Sequence, residues 1–349
     1  MARAKSQFIC QQCGASYPKW IGKCENCGEW NSLVEQLPVD TGASAVARSS
    51  GKGKALTTLR LSETATEAKQ ARLATGIADL DAVLGGGFLP GGVVLVAGQP
   101  GIGKSTLLAQ VAAFIARQKQ VLYVSGEESV SQVKLRAERL GTVDSENLQL
   151  ASSNSAEDIA ASIQTGQYNL VIVDSIQTLS LADIASAPGS VSQITNSSNV
   201  IIRAAKAANT AVILVGHVTK EGSIAGPKVL EHLVDVVLNF EGDRYGGFRV
   251  VRAQKNRYGS TNEAAIFEMH EDGLRIVANP SASLLAERQN LDGSIVLATM
   301  EGARPLLVEI QALVNPTNFG YPKRAASGFD LNRLNLLVAV LEKRTKLNL

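Results

Sequence analysis

Between residues 73 and 275, apolar runs alternate with helical stretches. Each apolar run ends in glycine or polar residues: GGVVLVAG (91–98), QVLYVSGEE (120–128), YNLVIVDS (168–175) and TAVILVGH (210–217). This order is typical of a mostly parallel sheet with helices on both faces, so we predict an α/β fold. In such a sheet, ligands bind at the carboxyl ends of the strands, where these polar residues lie.

The segments that flank this block have a different character. From Asp40 to about Arg72 the chain is rich in Ser, Thr, Gly, Ala and Lys, which indicates a linker. After Arg275, the strand-like SIVLATM and PLLVEIQALV precede DLNRLNLLVAVLEKR, whose apolar residues recur at helical spacing behind a capping Asp330. The predicted domains and segments are 1–34, 35–72, 73–275 and 276–349.

Composition limits the classes of function. The chain has 349 residues, 45% hydrophobic and 19% charged, which suits two or three folded domains. A net charge of +2 argues against a histone-like polycation, so nucleic acid could be bound only through a local patch of positive charge. No apolar run reaches the roughly 18 residues of a membrane span, and the N-terminus lacks a signal peptide's apolar stretch. We expect a soluble, cytoplasmic protein.

All four cysteines lie within the first 27 residues, in two C-x-x-C knuckles that are each followed by glycine. Such paired knuckles arrange four thiolates around one tetrahedral ion, and Lys19 and Lys23 between them offset its negative charge. A redox pair would need one knuckle within a βα fold. A closed four-cysteine site has no open position for catalysis. The predicted ligands of this structural zinc ion are Cys10, Cys13, Cys24 and Cys27.

Residues 1–60 carry eight Lys or Arg against four acidic residues, and Trp20 and Trp30 lie among them. This charge fits contacts with a phosphate backbone beside a base stacked on tryptophan. A solvated face is the more common origin of such a charge run, and the residues leave both interpretations open.

The first apolar run leads into a phosphate-binding loop. Residues 98–106 read GQPGIGKST and satisfy G-x-x-x-x-G-K-[ST], with a predicted strand before and the helix STLLAQVAAFIARQ after. Backbone N–H groups of such a loop converge on the β-phosphate, Lys104 reaches the γ-phosphate and Ser105 binds Mg²⁺. We therefore predict ATP and Mg²⁺ as cofactors.

Polar side chains end the neighbouring strands. Asp174 closes NLVIVD in the place of a Walker B carboxylate that holds the magnesium shell. Glu127 and Glu128 close LYVSGEE, and one of them is predicted to be the general base; we favour Glu127, with Glu128 as a solvated or capping residue. His217 is the last residue of AVILVGH. It is either a sensor of the γ-phosphate or a histidine whose hydrogen bonds are satisfied at the end of a strand. The predicted nucleotide contacts are Gly98, Gln99, Pro100, Gly101, Ile102, Gly103, Lys104, Ser105, Thr106 and His217.

These motifs together resemble a known family. The segment RLATGIADLDAVLGGGFLPGGVVLVAGQPGIGKST, the strand end SGEES and GHVTKEGSIAGPKVLEHLVDVVL look like a RecA-type ATPase core. With the four-cysteine module and the motif KNRYG at 255–259, the whole chain closely resembles the bacterial RadA (Sms) family of DNA repair and recombination ATPases. The family motif is K-N-R-F-G, so Tyr258 replaces Phe and keeps a ring.

The resemblance implies a RecA-like P-loop core that forms a hexameric ATPase and helicase. Such a ring moves on single-stranded DNA and drives branch migration of recombination intermediates alongside RecA. Its nucleotide lies between subunits, and Lys255 and Arg257, at i and i+2 on one face of an extended strand, suit an arginine-finger role on a neighbour's γ-phosphate, with DNA coupling as an alternative. The predicted catalytic residues are Lys104, Glu127, Asp174, Lys255 and Arg257.

DNA contacts are expected from the segments 177–195 and 219–230, with Lys220 and Lys228 as phosphate contacts. The C-terminal block resembles the beginning of a Lon-protease-like domain, which serves the family as a scaffold without protease activity. The chain stops before the family's usual end, so we expect a partial domain with exposed apolar surface.

Two other interpretations share the ATPase core. A replicative-type ring helicase has a similar K-x-R element but carries a helical N-terminal domain in place of cysteine knuckles. The second alternative is a RecA-like ATPase that uses ATP only to control its assembly or its binding of DNA. The intact Lys104, Glu127 and Asp174 favour hydrolysis, and the leading prediction is a DNA-dependent ATPase and helicase.

Overall fold

The computed structural model describes residues 7–10, 15–26, 28–30, 32–36, 72–141, 145–217, 229–242, 247–286, 288, 291–316 and 323–346. Near the N-terminus, the strands Gln7–Cys10 (β1), Ser16–Tyr17 (β2) and Leu33–Gln36 (β3) form an antiparallel sheet in the order β2-β1-β3. Cys10, Cys24 and Leu33 are buried together in a small cluster. A module of this size buries too little apolar surface to be stable by itself, which fits a fold held by a metal ion.

A nine-stranded sheet forms the centre of the larger part of the chain. Its strands are Val93–Gly98 (β4), Val121–Ser125 (β5), Leu148–Ser152 (β6), Leu170–Asp174 (β7), Ala211–His217 (β8), Val236–Gly242 (β9), Arg249–Asn256 (β10), Ala264–His270 (β11) and Gly273–Ile276 (β12). Their order is β12-β11-β10-β9-β4-β8-β7-β5-β6. Strands β4 to β9 are parallel, and β10 to β12 add antiparallel. The predicted α/β class is confirmed, and the four apolar runs are β4, β5, β7 and β8.

Helices cover both faces of this sheet. They are Ala78–Leu84 (α1), Lys104–Ala116 (α2), Val130–Arg139 (α3), Ala156–Gln164 (α4), Val191–Ala208 (α5) and Val229–Leu233 (α6). Residues of α1, α2 and α3 pack in one core, and those of α4, α5 and α6 pack in the other. Central strand residues such as Val171 and Ile172 therefore point into opposite cores, and both are fully buried. Each such side chain contributes about 1.5–3 kcal/mol to stability.

The segment after β7 differs from the open loop that the sequence predicted for 177–195. Ile176–Thr178 forms a 3₁₀ turn, and α5 already begins at Val191, where Ser190 caps the helix by accepting from the Gln193 backbone N–H. The buried side-chain amide of Gln193 also bonds to backbone groups of Leu181, Ile184 and Ser186. The segment is thus fixed from within. In the second predicted loop, Lys220 and Lys228 lie outside the described residues.

The rest of the chain contains Pro280–Leu285 (α7), the paired strands Ser294–Glu301 (β13) and Arg304–Gln311 (β14), and Leu331–Thr345 (α8). The Asp330 side chain accepts from the Arg333 backbone N–H at 2.8 Å, so the predicted cap of this helix is confirmed. No residue of α8 is buried. Within the described parts of the chain, no helix is long and apolar enough to cross a membrane.

By contacts, the chain divides into two compact units. The first comprises Met1–Ala286 and Ala298–Val308, and the second comprises Glu287–Leu297 and Glu309–Leu349. The first unit therefore extends beyond the boundary predicted at residue 275. The predicted segments 1–34, 35–72, 73–275 and 276–349, and the Lon-like character of the last one, stay predictions.

Candidate active site

The predicted phosphate loop connects the end of β4 to the start of α2. Gly103, directly before α2, has a φ of +114°, which favours glycine. At Gly98, a Cβ atom would lie 2.5 Å from the carbonyl oxygen of Phe240, so only glycine fits. Gln99, Pro100 and Gly101 between them are exposed. The loop thus presents open backbone at a helix N-terminus, which is a binding site for phosphate groups.

The Lys104 amine lies inside this loop rather than in solvent. Its Nζ donates to the carbonyl oxygens of Gly98 at 2.8 Å and Gln99 at 3.0 Å, and lies 3.2 Å from His217 Nδ1. Burial lowers the pKa of Lys104, while the charges of Asp174 and Glu127 oppose that shift. The two neighbouring carboxylates therefore help to keep a buried ammonium group charged beside the loop.

Asp174 is a buried carboxylate that receives two short hydrogen bonds on one oxygen. Ser105 Oγ and the Tyr123 hydroxyl both donate to Asp174 Oδ2 at 2.6 Å. Burial raises the pKa of Tyr123 well above its ordinary value, and the charge of Asp174 raises it further, so the phenol stays protonated and acts as donor. A hydroxyl and a carboxylate that meet at the phosphate loop are the oxygen ligands that Mg²⁺ prefers. Ser105 and Asp174 therefore fit the predicted magnesium role.

The two candidate glutamates at the end of β5 have different surroundings. Glu127 Oε1 accepts from Ser175 Oγ at 2.5 Å and lies 3.2 Å from His217 Nε2. Glu128 forms an ion pair with Arg136 of α3. Glu127 thus faces the same histidine as Lys104, whereas Glu128 faces a helix. This difference supports the choice of Glu127 over Glu128 as general base, which stays a prediction.

Opposing effects set the pKa of Glu127. Burial raises it, but the hydrogen bonds from Ser175 and His217 and the charges of His217 and Lys104 outweigh burial and bring it below its ordinary value. The side chain is therefore ionised at neutral pH and able to accept a proton. His217 bridges Glu127 to Lys104 through its two ring nitrogens. The residues that follow His217 to position 228 lie outside the described residues.

The motif KNRYG at 255–259 lies at the other end of the sheet. Asn256 pairs with Val236, which pairs in turn with Val94 on β4. Val94 precedes Gly98 by four residues, which places Asn256 about 13 Å from the phosphate loop along the strand direction. Lys255 and Arg257 therefore do not form one site with the phosphate loop of their own chain.

Each polar residue of the motif is bonded within its own chain. Lys255 Nζ donates to the carbonyl oxygens of Glu231 at 2.7 Å and Val234 at 2.8 Å, around the end of α6. Burial and then the charge of Arg257 lower the pKa of Lys255. Arg257 Nη1 donates to Asp235 Oδ1 at 3.1 Å, while half of the Arg257 side chain remains exposed.

The middle of the motif is packed against the turn after α1. Asn256 Nδ2 donates to Val83 O at 3.1 Å, and Asn256 Oδ1 accepts from the Tyr258 backbone N–H at 2.8 Å. Arg72 donates to Tyr258 O at 3.3 Å. At Gly259, a Cβ atom would lie 2.9 Å from the Cα atom of Gly85. The motif is thus a fixed turn and not a flexible arm.

In the N-terminal module, two of the four predicted zinc ligands are described. Cys10 Sγ lies 3.2 Å from Ser32 Oγ, and Cys24 Sγ lies 3.4 Å from the Tyr17 hydroxyl. The hydrogen bond to Cys24 raises the pKa of Tyr17, and burial adds to this shift. Cys13 and Cys27 lie outside the described residues. Two buried sulfurs with hydroxyl partners fit the surroundings of a metal site.

Trp20 and Trp30 of the same module are exposed, at 53% and 68%. Both rings lie 3.7 Å from where a Cβ atom of Gly22 would be, and Lys23 Nζ lies 5.6 Å from the Trp30 ring centre. The exposure that the DNA-contact hypothesis requires is present. The choice between a DNA contact and a solvated face stays open.

Several residues of the site were missed by sequence reasoning. Tyr123 and Ser175 contact the predicted carboxylates, Arg136 pairs with Glu128, and Asp235 pairs with Arg257. A signal existed for Tyr123, because a tyrosine within a buried strand needs a partner for its hydroxyl. The other three depend on the order of strands and helices in space.

The fold and the site together define a P-loop ATPase of the RecA type with an N-terminal metal-binding module. Residues 57–223 match the AAA domain family, and residues 8–35 match the rubredoxin metal binding domain family. A solved structure titled "Crystal structure of the RadB recombinase" aligns with 59% of this chain and 99% of its own, at 24% identity and a TM-score of 0.45.

Curated relatives match almost the whole chain. The DNA repair protein RadA of Bacillus subtilis is 50% identical over 355 residues, covering 99% of this chain and 76% of the relative. The DNA repair protein RadA of Brucella abortus is 49% identical over 352 residues, covering 98% and 74%. The chain therefore belongs to the family of DNA repair protein RadA, as its motifs predicted.

Proposed function

We propose that this protein is an ATP-driven motor on DNA that acts in homologous recombination and repair of DNA damage. The observation that carries the proposal is the separation of two complete sets of residues. Lys104, Asp174 and Glu127 meet at the phosphate loop, whereas Lys255 and Arg257 are held at the other end of the sheet. The second set acts only if another subunit brings its nucleotide there, so the motor is an assembly, for which we propose a homo-hexamer.

The residues at the phosphate loop suit hydrolysis of ATP. Bound ATP with Mg²⁺ supplies the phosphoanhydride bond whose cleavage yields the free energy for movement. The loop backbone and the Lys104 amine would hold the phosphates, and Ser105 and Asp174 would hold the metal ion. Glu127 Oε1, kept ionised by Ser175 and His217, would take the proton of the attacking water.

His217 connects the ATP site to the segment that we propose to bind DNA. Its ring contacts both Lys104 and Glu127, and it is the last residue of β8 before the segment with Lys220 and Lys228. We assign single-stranded DNA to this segment and to the segment after β7. Lys220 and Lys228 would contact phosphates, which predicts binding that weakens as salt rises.

Kinship with the RadA family supports the finer assignments. The substrates are single-stranded DNA and branched recombination intermediates, which the assembly moves by branch migration alongside RecA in the cytoplasm. Cys10, Cys13, Cys24 and Cys27 hold Zn²⁺ in a closed structural site that has no part in hydrolysis. The C-terminal block serves as a Lon-like scaffold for the assembly.

The test is ATP hydrolysis with and without single-stranded DNA, with particle mass measured by light scattering. Wild type is compared with Lys104→Ala, Lys255→Ala and, as a matched surface control, Lys134→Ala, whose side chain is 61% exposed. We expect DNA-stimulated turnover from a ring-sized particle, lost in the first two variants and kept in the control. Hydrolysis indifferent to DNA, or unaffected by Lys255→Ala, would contradict the proposal.

A further inference from the structure

Asp235 is a buried carboxylate at the junction of the KNRYG turn and the strand that leads to the phosphate loop. It is 3% exposed and directly precedes β9. A buried carboxylate is costly unless charged or N–H donors surround it. The groups that donate hydrogen bonds to Asp235 show which parts of the fold it connects.

Asp235 makes two hydrogen bonds to each of two residues. With Val93, the first residue of β4, Asp235 Oδ2 accepts from the backbone N–H and the Asp235 N–H donates to the carbonyl, both at 3.0 Å. With Arg257, Asp235 Oδ1 accepts from Nη1 at 3.1 Å and its carbonyl accepts from the Arg257 backbone N–H at 3.1 Å. One residue thus ties Arg257 to the strand that ends in the phosphate loop.

Two further side chains, Lys206 and Tyr258, are influenced by the same carboxylate. Lys206 Nζ of α5 lies 4.0 Å from Oδ1. Burial first, and then the charge of this carboxylate, raise the pKa of Tyr258 to about 12, so its hydroxyl stays protonated. Since the Arg257 side chain is half exposed, Asp235 fixes its direction without covering it.

We propose that Asp235 is a positioning residue that holds the Arg257 guanidinium ready for the nucleotide of the adjacent subunit. The proposal rests on the assembly inferred above, in which Arg257 acts in trans. A long arginine side chain loses conformational freedom when it docks on a phosphate, and a fixed carboxylate reduces that loss in advance. Because Asp235 is also bonded to β4, it links the direction of the Arg257 side chain to the phosphate loop of its own subunit.

A simple structural role for Asp235 predicts something different. If Asp235 only stabilises β4, its loss damages the nucleotide site of its own subunit. If it positions Arg257, its loss damages the site of the neighbour. Mixed assemblies distinguish these cases, because one subunit can supply the phosphate loop and another can supply Arg257.

The experiment uses the full chain and mixes variants in equal amounts. Lys104→Ala subunits have a disabled phosphate loop and an intact Arg257; Arg257→Ala and Asp235→Asn subunits have the reverse. Asp235→Asn keeps an oxygen that can accept from the Val93 N–H but removes the charge that faces Arg257. Asp79→Asn, which breaks the Asp79–Arg304 ion pair, is the matched control and should hydrolyse ATP like wild type.

An arginine finger contributes about 10³-fold or more to turnover. We therefore expect the mixture of Lys104→Ala with Arg257→Ala to exceed either variant alone by more than about tenfold. The mixture of Lys104→Ala with Asp235→Asn should recover in the same way. Recovery in the first mixture but not in the second would overturn the positioning role. Failure of the first mixture would overturn the action of Arg257 in trans, and with it the assembly.

Binding gives a readout apart from turnover. Arg257 faces the γ-phosphate in the proposal, so Asp235→Asn should weaken a non-hydrolysable ATP analogue by about tenfold, the effect of 1.4 kcal/mol, and leave ADP unchanged. Equal weakening of both nucleotides would show damage to the subunit's own loop and would contradict positioning. If Asp235→Asn does not fold, Asp235→Glu, which keeps the charge but displaces it, takes its place in both measurements.

Discussion

Tyr123 donates a hydrogen bond of 2.6 Å to Asp174 Oδ2, the oxygen that also receives the hydroxyl of Ser105. The tyrosine lies on the neighbouring strand and is 2% exposed. Without this bond, the Asp174 carboxylate could rotate. The phenol therefore holds the carboxylate in its direction toward the phosphate loop. The arrangement makes Tyr123 part of the support for the predicted magnesium site.

Tyr123→Phe removes this bond and keeps the ring. A hydrogen bond to a charged group contributes about 1.5–3 kcal/mol, so we expect the free energy of unfolding to fall by about that amount. The Mg²⁺ concentration for half-maximal ATP hydrolysis should rise several-fold. Urea unfolding and a Mg²⁺ titration test both. Tyr168→Phe, which loses an exposed bond to Gln149, is the control. An unchanged Mg²⁺ dependence in Tyr123→Phe would contradict this role.

Glu127 and Glu128 should respond differently to the same substitution. Glu127→Gln removes the proton acceptor, and we expect turnover to fall by about 10²- to 10⁴-fold while nucleotide binding remains. Glu128→Gln removes the partner of Arg136 and should lower stability with turnover close to wild type. Steady-state hydrolysis and fluorescent nucleotide binding distinguish the two. Larger loss of turnover in Glu128→Gln would assign the general base to the other glutamate.

The pKa of Glu127 predicts a pH dependence of stability. Its pKa in the folded protein is below the ordinary 4.5, so the unfolded chain binds more protons near that pH. The stabilisation from the ionised group is therefore complete above 4.5 and is lost as pH falls through the folded pKa. The difference in unfolding free energy between wild type and Glu127→Gln should shrink below pH 4.5. A constant difference across the acid range would refute the assignment.

Zinc should be needed for the N-terminal module. A structural zinc site contributes about 10–16 kcal/mol to the folding of small zinc modules. Cys24→Ser should therefore lose bound zinc, measured by elemental mass spectrometry, together with the fold of the module. Ser32→Ala, which removes only the hydroxyl next to Cys10, should keep the metal. Zinc bound in full by Cys24→Ser would show that these cysteines are not the ligands.

The sequence predicted the parts of the fold that depend on local pattern. Apolar runs identified the central parallel strands, because a strand buried on both faces has no polar position. The spacing of glycines and Lys104 identified the phosphate loop, and the ends of β5, β7 and β8 identified Glu127, Asp174 and His217. The carboxyl ends of parallel strands meet at one edge, so these residues converge as expected.

Other features depend on contacts between distant segments. The start of α5 was missed because its polar first turn reads like a loop; it is fixed by the buried Gln193. Asp235 was overlooked because a single acid before a strand carries no pattern, and only the antiparallel pairing of β9 and β10 brings Arg257 to it. Strand order in space was the missing information.

We propose that hydrolysis drives movement on DNA and does not merely control binding. The direct measurement is separation of a fluorescently labelled branched DNA by wild type and Glu127→Gln, with ATP or a non-hydrolysable analogue. Movement driven by hydrolysis predicts strand separation only by wild type with ATP, while all combinations bind the DNA. Separation that proceeds equally with the analogue, or none despite DNA-stimulated hydrolysis, would contradict it.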